Sequence, residues 1–366
     1  MKIIQRITRN IPSNITLTVL LTVFSITFSI ADHHNEGHID LKEKDEEFNA
    51  TEMIMHHISD AYEYHLWGEG HESVSIPLPI ILYDLGTGKL STFLSSEFHH
   101  GENTVDGYTL TEHGIVNTSG AHAPRFFDLF SGHVEFLDFS ITKNVFSLIF
   151  SAIIMFIIFV AVAKSYNKKK KAAPKGMQNL MESLVVYVRD DIAKPNIGNK
   201  HEKFMPFLLT IFFFIWINNL IGLVPFFPGG ANLTGNIAFT FVLAMATYLV
   251  TTFSANKDYW GHIFWMPGVP WPIRLILAPI ELVGTLTKPF ALMIRLFANI
   301  TAGHIVVLSL ISLIFILKTV WVSPASVFLA LFIDILELLV AFLQAFVFTM
   351  LSSLFIGAAV AEHEHH

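Results

Sequence analysis

The stretch KPFALMIRLFANITAGHIVVLSLISLIFILK, residues 288–318, sets a single arginine inside an otherwise apolar run. That run begins at Trp271 and ends near Lys318, and a second one extends from Ser323 to about Ala361. At 1.5 Å per residue these would be helices of roughly 70 and 58 Å, against a bilayer hydrocarbon core of about 30 Å. Each must break or lie steeply tilted. Pro279 and Pro289 permit kinks, but neither is followed by a turn signal. The pattern predicts two long, tilted, antiparallel helices joined at KTVWVSP, residues 318–324.

The rest of the chain fits a membrane frame. Of 366 residues, 52% are hydrophobic and 14% charged, with a mean hydropathy of +0.54, values that few soluble domains reach. The absence of cysteine excludes a disulfide framework and thiolate metal sites. A net charge of -7 conceals a strong asymmetry along the chain, of the kind that sets membrane topology.

Residues 1–31 read as a signal peptide: Lys2, Arg6 and Arg9 precede the apolar ITLTVLLTVFSITFSI, and small residues precede Asp32. The alternative is an uncleaved anchor helix, and both place the next segment outside the cytoplasm. Residues 32–143 are acidic, with about twenty Asp and Glu against five basic residues, and predict a small periplasmic α+β domain. Within it, 46–68 has helical spacing, and 74–95 reads as a β-hairpin around a glycine turn. Its dozen histidines show no fixed ligand spacing, so solvated surface histidine is expected rather than a metal site.

A first transmembrane helix is expected at 144–163, followed by a cytoplasmic stretch, 164–204. There Lys168 to Lys171 mark the inner side. Beside a membrane span, anionic lipid is the expected partner of this basic run, and nucleic acid is not. An amphipathic, interfacial helix follows in MQNLMESLVVYVRDDIAK, and a transmembrane hairpin occupies 205–254. Asn218 and Asn219 lie inside that hairpin and must find partners in the bundle. The long hairpin takes 271–361, with a cytoplasmic tail at 362–366. The fold class is thus an all-α integral membrane protein with a small outer domain.

Polar residues in the long hairpin fall into a pattern. Glu281, Lys288 and Arg295 are spaced by seven, so successive members drift only about 20° around the helix, and Asn299 stays on that stripe. His304 points to the opposite side. On the second helix Glu337 and Gln344 are also seven apart. A turn near residue 320 stands Arg295 level with Gln344, and His304 level with Glu337. Gln344 can accept a hydrogen bond from a guanidinium but cannot cancel its charge. Glu337 and His304 can exchange a proton. Glu281 and Lys288 form a structural ion pair or lie toward the inner interface; Asp334 has no evident partner. Snorkelling of Arg295 is disfavoured, because apolar residues extend well past it on both sides.

IRLFANITAGH, LELLVAFLQAFVFTML and NNLIGLVP resemble the signature segments of subunit a of the F-type ATP synthase, in that family's order, from about residue 140 to the end. The resemblance implies a bacterial inner-membrane stator, with a subunit b stalk as neighbour, beside a rotating ring of c subunits that each carry a mid-membrane carboxylate. It implies that Arg295 is the essential arginine, and that its counter-charge belongs to the ring. A nearby cation favours the ionised form of a carboxylate, so a ring acid would lose its proton facing Arg295 and regain one before turning into lipid. Arginine suits a charge that must not titrate.

Asn299 and Gln344 match ring-facing polar positions, and His304 with Glu337 match a pair in the outer half-channel. Many bacterial relatives carry the acid and the imidazole in exchanged order. Glu281, Lys288 and Asn219 match accessory polar positions; Ala298 stands where many relatives have glycine. The family's subunit is a proton-translocating part of the synthase rather than an enzyme on its own, and no cofactor or metal is implied. The outer domain is not part of the common pattern. The rival reading is a secondary ion transporter with an intramembrane charged binding site, whose usual inverted repeats are not visible here.

Overall fold

The computed structural model describes residues 50–67, 74–101, 103–111, 114–122, 135–168, 174–224, 227–266, 269–317 and 319–361. The signal segment expected at 1–31, the lysines at 169–171 and the tail at 362–366 lie outside the described residues.

The outer domain opens with helix α1 (Ala50–Ile58) and then turns to strand β1 (Glu63–Trp67), which pairs antiparallel with β2 (Val74–Pro77). The single helix expected across 46–68 is therefore corrected. Tyr62 and Tyr64 are buried while His65 is exposed, a two-residue alternation that a strand satisfies and a helix does not. Asp60 makes the break between the two: its Oδ1 accepts from Ala61 N at 3.0 Å and from Asn144 N at 3.0 Å.

The glycine-turn hairpin is present as β3 (Pro79–Asp84) and β4 (Leu90–Leu94), with Pro79 opposite Leu94 and Tyr83 opposite Leu90. Asp84 closes its turn by accepting from Thr87 N at 2.7 Å. Three short strands, β5 (Thr104–Val105), β6 (Tyr108–Thr111) and β7 (Gly114–Asn117), form a separate antiparallel sheet. Strand β8 (Phe136–Asp138) then returns to the free edge of β3. Ile80, Leu82, Phe98, Ile115 and Phe136 make the core, and the Tyr62 hydroxyl donates to Asp138 Oδ2 at 2.5 Å inside it.

Helix α2 (Lys143–Lys168) leaves the domain directly. Its first amides are satisfied by Asp60 and by Thr142 Oγ1, which accepts from Val145 N at 3.4 Å. The amphipathic segment runs from α3 (Met177–Tyr187) through a π turn (Val188–Ala193) into α4 (Lys194–Ile197). It buries Met181, Val188, Ile192 and Ala193, while Asp190 pairs outside with Arg189 and Lys194. After one tight turn α5 (His201–Gly222) follows, and then α6 (Ile237–Ser254), whose first amides Ala238 N and Phe239 N are capped by Asn236 Oδ1. Helix α7 (Lys257–Phe264) leads to the long pair, α8 (Trp271–Leu317) and α9 (Ser323–Val360).

Both long helices are continuous, at 47 and 38 residues, and Pro279 and Pro289 are absorbed within α8. Among the described residues, five helical stretches are long and apolar enough to cross a membrane. Their shared core is aromatic, with Phe212, Phe213, Phe214 and Phe239 buried. Against it α9 presents small residues at near four-residue spacing, Ala341, Ala345, Thr349, Ser353 and Gly357, so the backbones approach closely without a large side chain between them. The opposite faces of α8 and α9 expose Phe290, Ile294, Leu331, Ile335 and Leu339, a surface suited to lipid or to another apolar helix.

Candidate functional site

Arg295 stands on the exposed face of α8, with exposed Phe290 and Ile294 within its own turns of helix. No carboxylate among the described residues lies within ion-pair distance of its guanidinium. Asn299 follows one turn later and is also exposed. The stripe inferred from seven-residue spacing is therefore an outward-facing one at this point, and its cation is unneutralised within the described chain.

Two contacts set how α8 and α9 lie against each other. Gly303 is covered by Glu337, whose side chain occupies the space a Cβ would need: that atom would stand 2.8 Å from Glu337 Cδ and 3.2 Å from Cγ. Farther along, Lys288 Nζ lies over the Phe355 ring, 5.7 Å from its centroid. Arg295 and Gln344 fall between these two points. Gln344 is buried, at 3% exposure, and no hydrogen bond among the described residues joins it to Arg295.

His304, next to Gly303, is half-buried beside the end of α5: a Cβ on Gly222 would sit 4.0 Å from its Nε2. Glu337 Oε1 is buried and without a hydrogen-bond partner among the described residues. An acid and an imidazole thus flank one glycine, at one height of the hairpin. Asn219 completes this end. It donates from Nδ2 to Ala341 O at 3.2 Å and accepts from Thr234 Oγ1 at 2.7 Å, tying α5 to α9 and to the loop that follows α5. Asn218 donates to Phe214 O at 2.7 Å within its own helix.

At the other end, Glu281 and Lys288 are half-buried and not ion-paired among the described residues, which removes the structural-pair alternative. Lys288 instead lines a small, open cleft with Thr247, Tyr248, Thr251, Tyr259 and Thr285. Burial raises the Tyr259 phenol above its ordinary range, with Tyr248 and Glu281 adding to the effect. Thr251 Oγ1 is buried there with no protein partner among the described residues, a position that favours a water molecule. Asp334 is exposed on α9, one turn nearer the hairpin tip than Glu337.

Sequence spacing missed three contributors. Gly303 matters because only the absence of a side chain leaves room for Glu337, and Gly222 because it lets the Ala231 carbonyl lie close; a lone glycine in an apolar helix gives no such signal. Thr234 is reached only through the fold. The cleft threonines carried a faint signal, recurring as Thr247, Thr251 and Thr252 in α6.

The arrangement offers a fixed cation on an apolar helix face, an acid and an imidazole toward one end and a polar cleft toward the other. Comparison with known proteins gives the family. Residues 145–357 match the family described as ATP synthase A chain, and residues 53–139 match a domain of unknown function. "ATP synthase subunit a" of Chloroherpeton thalassium is 53% identical over 273 residues, covering 73% of this chain and 77% of the relative. "ATP synthase subunit a 2" of Chlorobaculum tepidum is 47% identical over 266 residues, 70% and 74% of the two chains. "ATP synthase subunit a" of an Anaeromyxobacter species is 41% identical over 325 residues, 86% and 71% of the two.

Proposed function

The chain belongs to the ATP synthase A chain family, a membrane-sector component of the F-type synthase, and from that premise we propose that it forms two proton half-channels against a rotating c-ring. The observation that carries this reading is Arg295, exposed on an apolar face and lacking an acid among the described residues. A guanidinium cannot shed its charge, and at bilayer depth it calls for a partner. A carboxylate on each ring subunit supplies that partner transiently.

In this reading a proton enters from the outer side, by way of His304 and Glu337, and protonates a ring carboxylate. The neutral acid travels through lipid, because the ionised form is too costly there. On its return it meets Arg295, which favours the ionised form, and releases its proton toward the cleft at Lys288. Between the two ends the guanidinium repels protons and blocks a direct leak. Asn299 and Gln344 line the same stretch of the path. The other partner is the subunit b stalk, and the site is the bacterial inner membrane, with the outer domain periplasmic and the C-terminus cytoplasmic.

Replacing Arg295 with Ala in the reconstituted complex tests this. Coupled proton pumping should vanish while the complex still assembles, because an exposed side chain without partners adds less than about 0.5 kcal/mol to stability. Pumping that survives the substitution would indicate a scaffold. Pumping that is lost only when a co-transported solute is removed would favour the ion-transporter alternative.

A further inference from the structure

The outer domain plays no part in the path just described, yet its described residues join the bundle at three places. The first is the start of α2, where Lys143 N donates to Ala61 O at 2.8 Å and Asn144 N donates to Asp60. The second is α1, which packs along α8. The third is a seam around Tyr64. Its ring meets Phe146 edge-on at 5.5 Å and Phe227 at 5.3 Å, and its hydroxyl donates to Pro228 O at 3.4 Å. Burial, with Asp60 adding, pushes the Tyr64 phenol far above its ordinary range, so it remains a donor.

Beneath that seam the contacts run inward. Tyr64 and Leu78 cover Ala231, which is wholly buried. Ala231 leans on Gly222, where a Cβ would stand 3.3 Å from Ala231 O and 4.0 Å from His304 Nε2. Only two small residues therefore separate a tyrosine of the outer domain from the imidazole at the outer end of the path. Asn219 holds the same loop from below, through Thr234. The loop residues 227–236 are gripped between the outer domain and the membrane helices.

We propose that the outer domain is a fixed wall of the outer half-channel, and that Tyr64 is a positioning residue which presses this loop on Gly222 and so keeps His304 in place. The proposal rests on the proton-path reading above. It gives the domain a task in proton entry and predicts that loosening the seam alters how the synthase responds to protons on that side.

The test uses the whole synthase in liposomes, with the rate of ATP synthesis followed against the pH on the outer-domain side at a fixed pH on the other. With Tyr64→Ala the proton concentration for half-maximal rate should rise about 3- to 10-fold, while assembly and ATP hydrolysis stay unchanged. Tyr64→Phe keeps the ring contacts and should stay within about twofold of the parent. The chain has no cysteine of its own, so the pair Tyr64→Cys and Phe227→Cys can be bridged by a short bis-methanethiosulfonate, which joins the two thiols through reducible disulfides and releases methanesulfinate. Assembled with the linker in place, the complex should behave like the parent, and reductive cleavage should bring on the shift. This arm serves even if Tyr64→Ala fails to assemble. An outer-pH dependence that does not move in Tyr64→Ala or after cleavage overturns the proposal, as does inhibition caused by the linker itself. A His304→Ala complex with unaltered transport would instead sink the proton-path reading; a His304 effect without a seam effect sinks only the wall.

Discussion

Alanine at position 303 should separate stability from transport. The added Cβ would fall within the Glu337 carboxyl, 2.8 Å from Cδ and 3.2 Å from Cγ, where carbon contacts normally settle at about 3.5–4.0 Å. What must yield is the end of a flexible side chain, so α8 and α9 need not move apart. Turning Glu337 out of its rotamer costs about 0.5–1.5 kcal/mol. Replacing a helix-interior glycine by alanine returns about 0.8–1 kcal/mol. These nearly cancel, and the stability of the subunit should change by less than about 1 kcal/mol. The carboxylate, however, moves by about 1 Å or more from the groups it serves, and misplacement on that scale can lower a rate as much as 10²-fold.

ATP-driven pumping, read from quenching of a pH-sensitive dye in liposomes, should therefore fall roughly 10- to 100-fold in Gly303→Ala. The thermal stability of the purified complex should match the parent. Gly284→Ala is the control, because on the same helix its added Cβ meets nothing within 4 Å. Full-rate pumping by the Gly303 variant would refute the placement of Glu337 in the path. An equal loss in the Gly284 variant would refute it too, by tracing the effect to helix flexibility.

Asn219→Ala removes the bonds to Ala341 O and Thr234 Oγ1 and should cost about 1–2 kcal/mol, seen as a lower melting temperature of the complex. Gly357→Ala drives a Cβ into the Asn196 backbone carbonyl, which cannot swing aside, and should cost about 1–3 kcal/mol, read as reduced yield of assembled complex. Tyr62 is buried against Asp138, and burial first, then that acid, holds its phenol well above the ordinary range. The folded chain therefore keeps a proton that the unfolded chain loses near pH 10, so this contribution is complete below about pH 10 and declines as pH rises beyond it. Near-UV circular dichroism of the intact chain should show the outer domain loosening above that pH, and Tyr62→Phe should remove this part of the alkaline sensitivity.

The long hairpin was legible in composition alone, since runs of that length and apolarity leave few alternatives, and the turn at 318–324 fixes which heights face each other. That Arg295 lacks an acidic partner among the described residues was legible too, because no acid occurs near it in sequence. Strand β1 was not. Tyr62 and Tyr64 continue the helical spacing of the preceding methionines, and only pairing with Val74–Pro77 decides for a strand. The positions of Gly222 and Gly303 were silent for a similar reason: a glycine's meaning lies in what approaches it, and that is a property of the fold. Lys288 was misjudged in one alternative because charge complementarity along a helix suggests a pair at seven-residue spacing, whereas packing against α9 took the ammonium to the Phe355 ring instead.

The length of α8 carries a consequence for direction. His304 and Lys288 are sixteen residues apart, about 24 Å along the axis, on a rod of 47 residues that cannot stand upright in a 30 Å slab. A slanted rod puts its two ends over different spots in the membrane plane. On the proposed path, a proton that arrives at one of them and leaves at the other is obliged to go sideways, so a voltage acting straight across the bilayer would become a push along its surface.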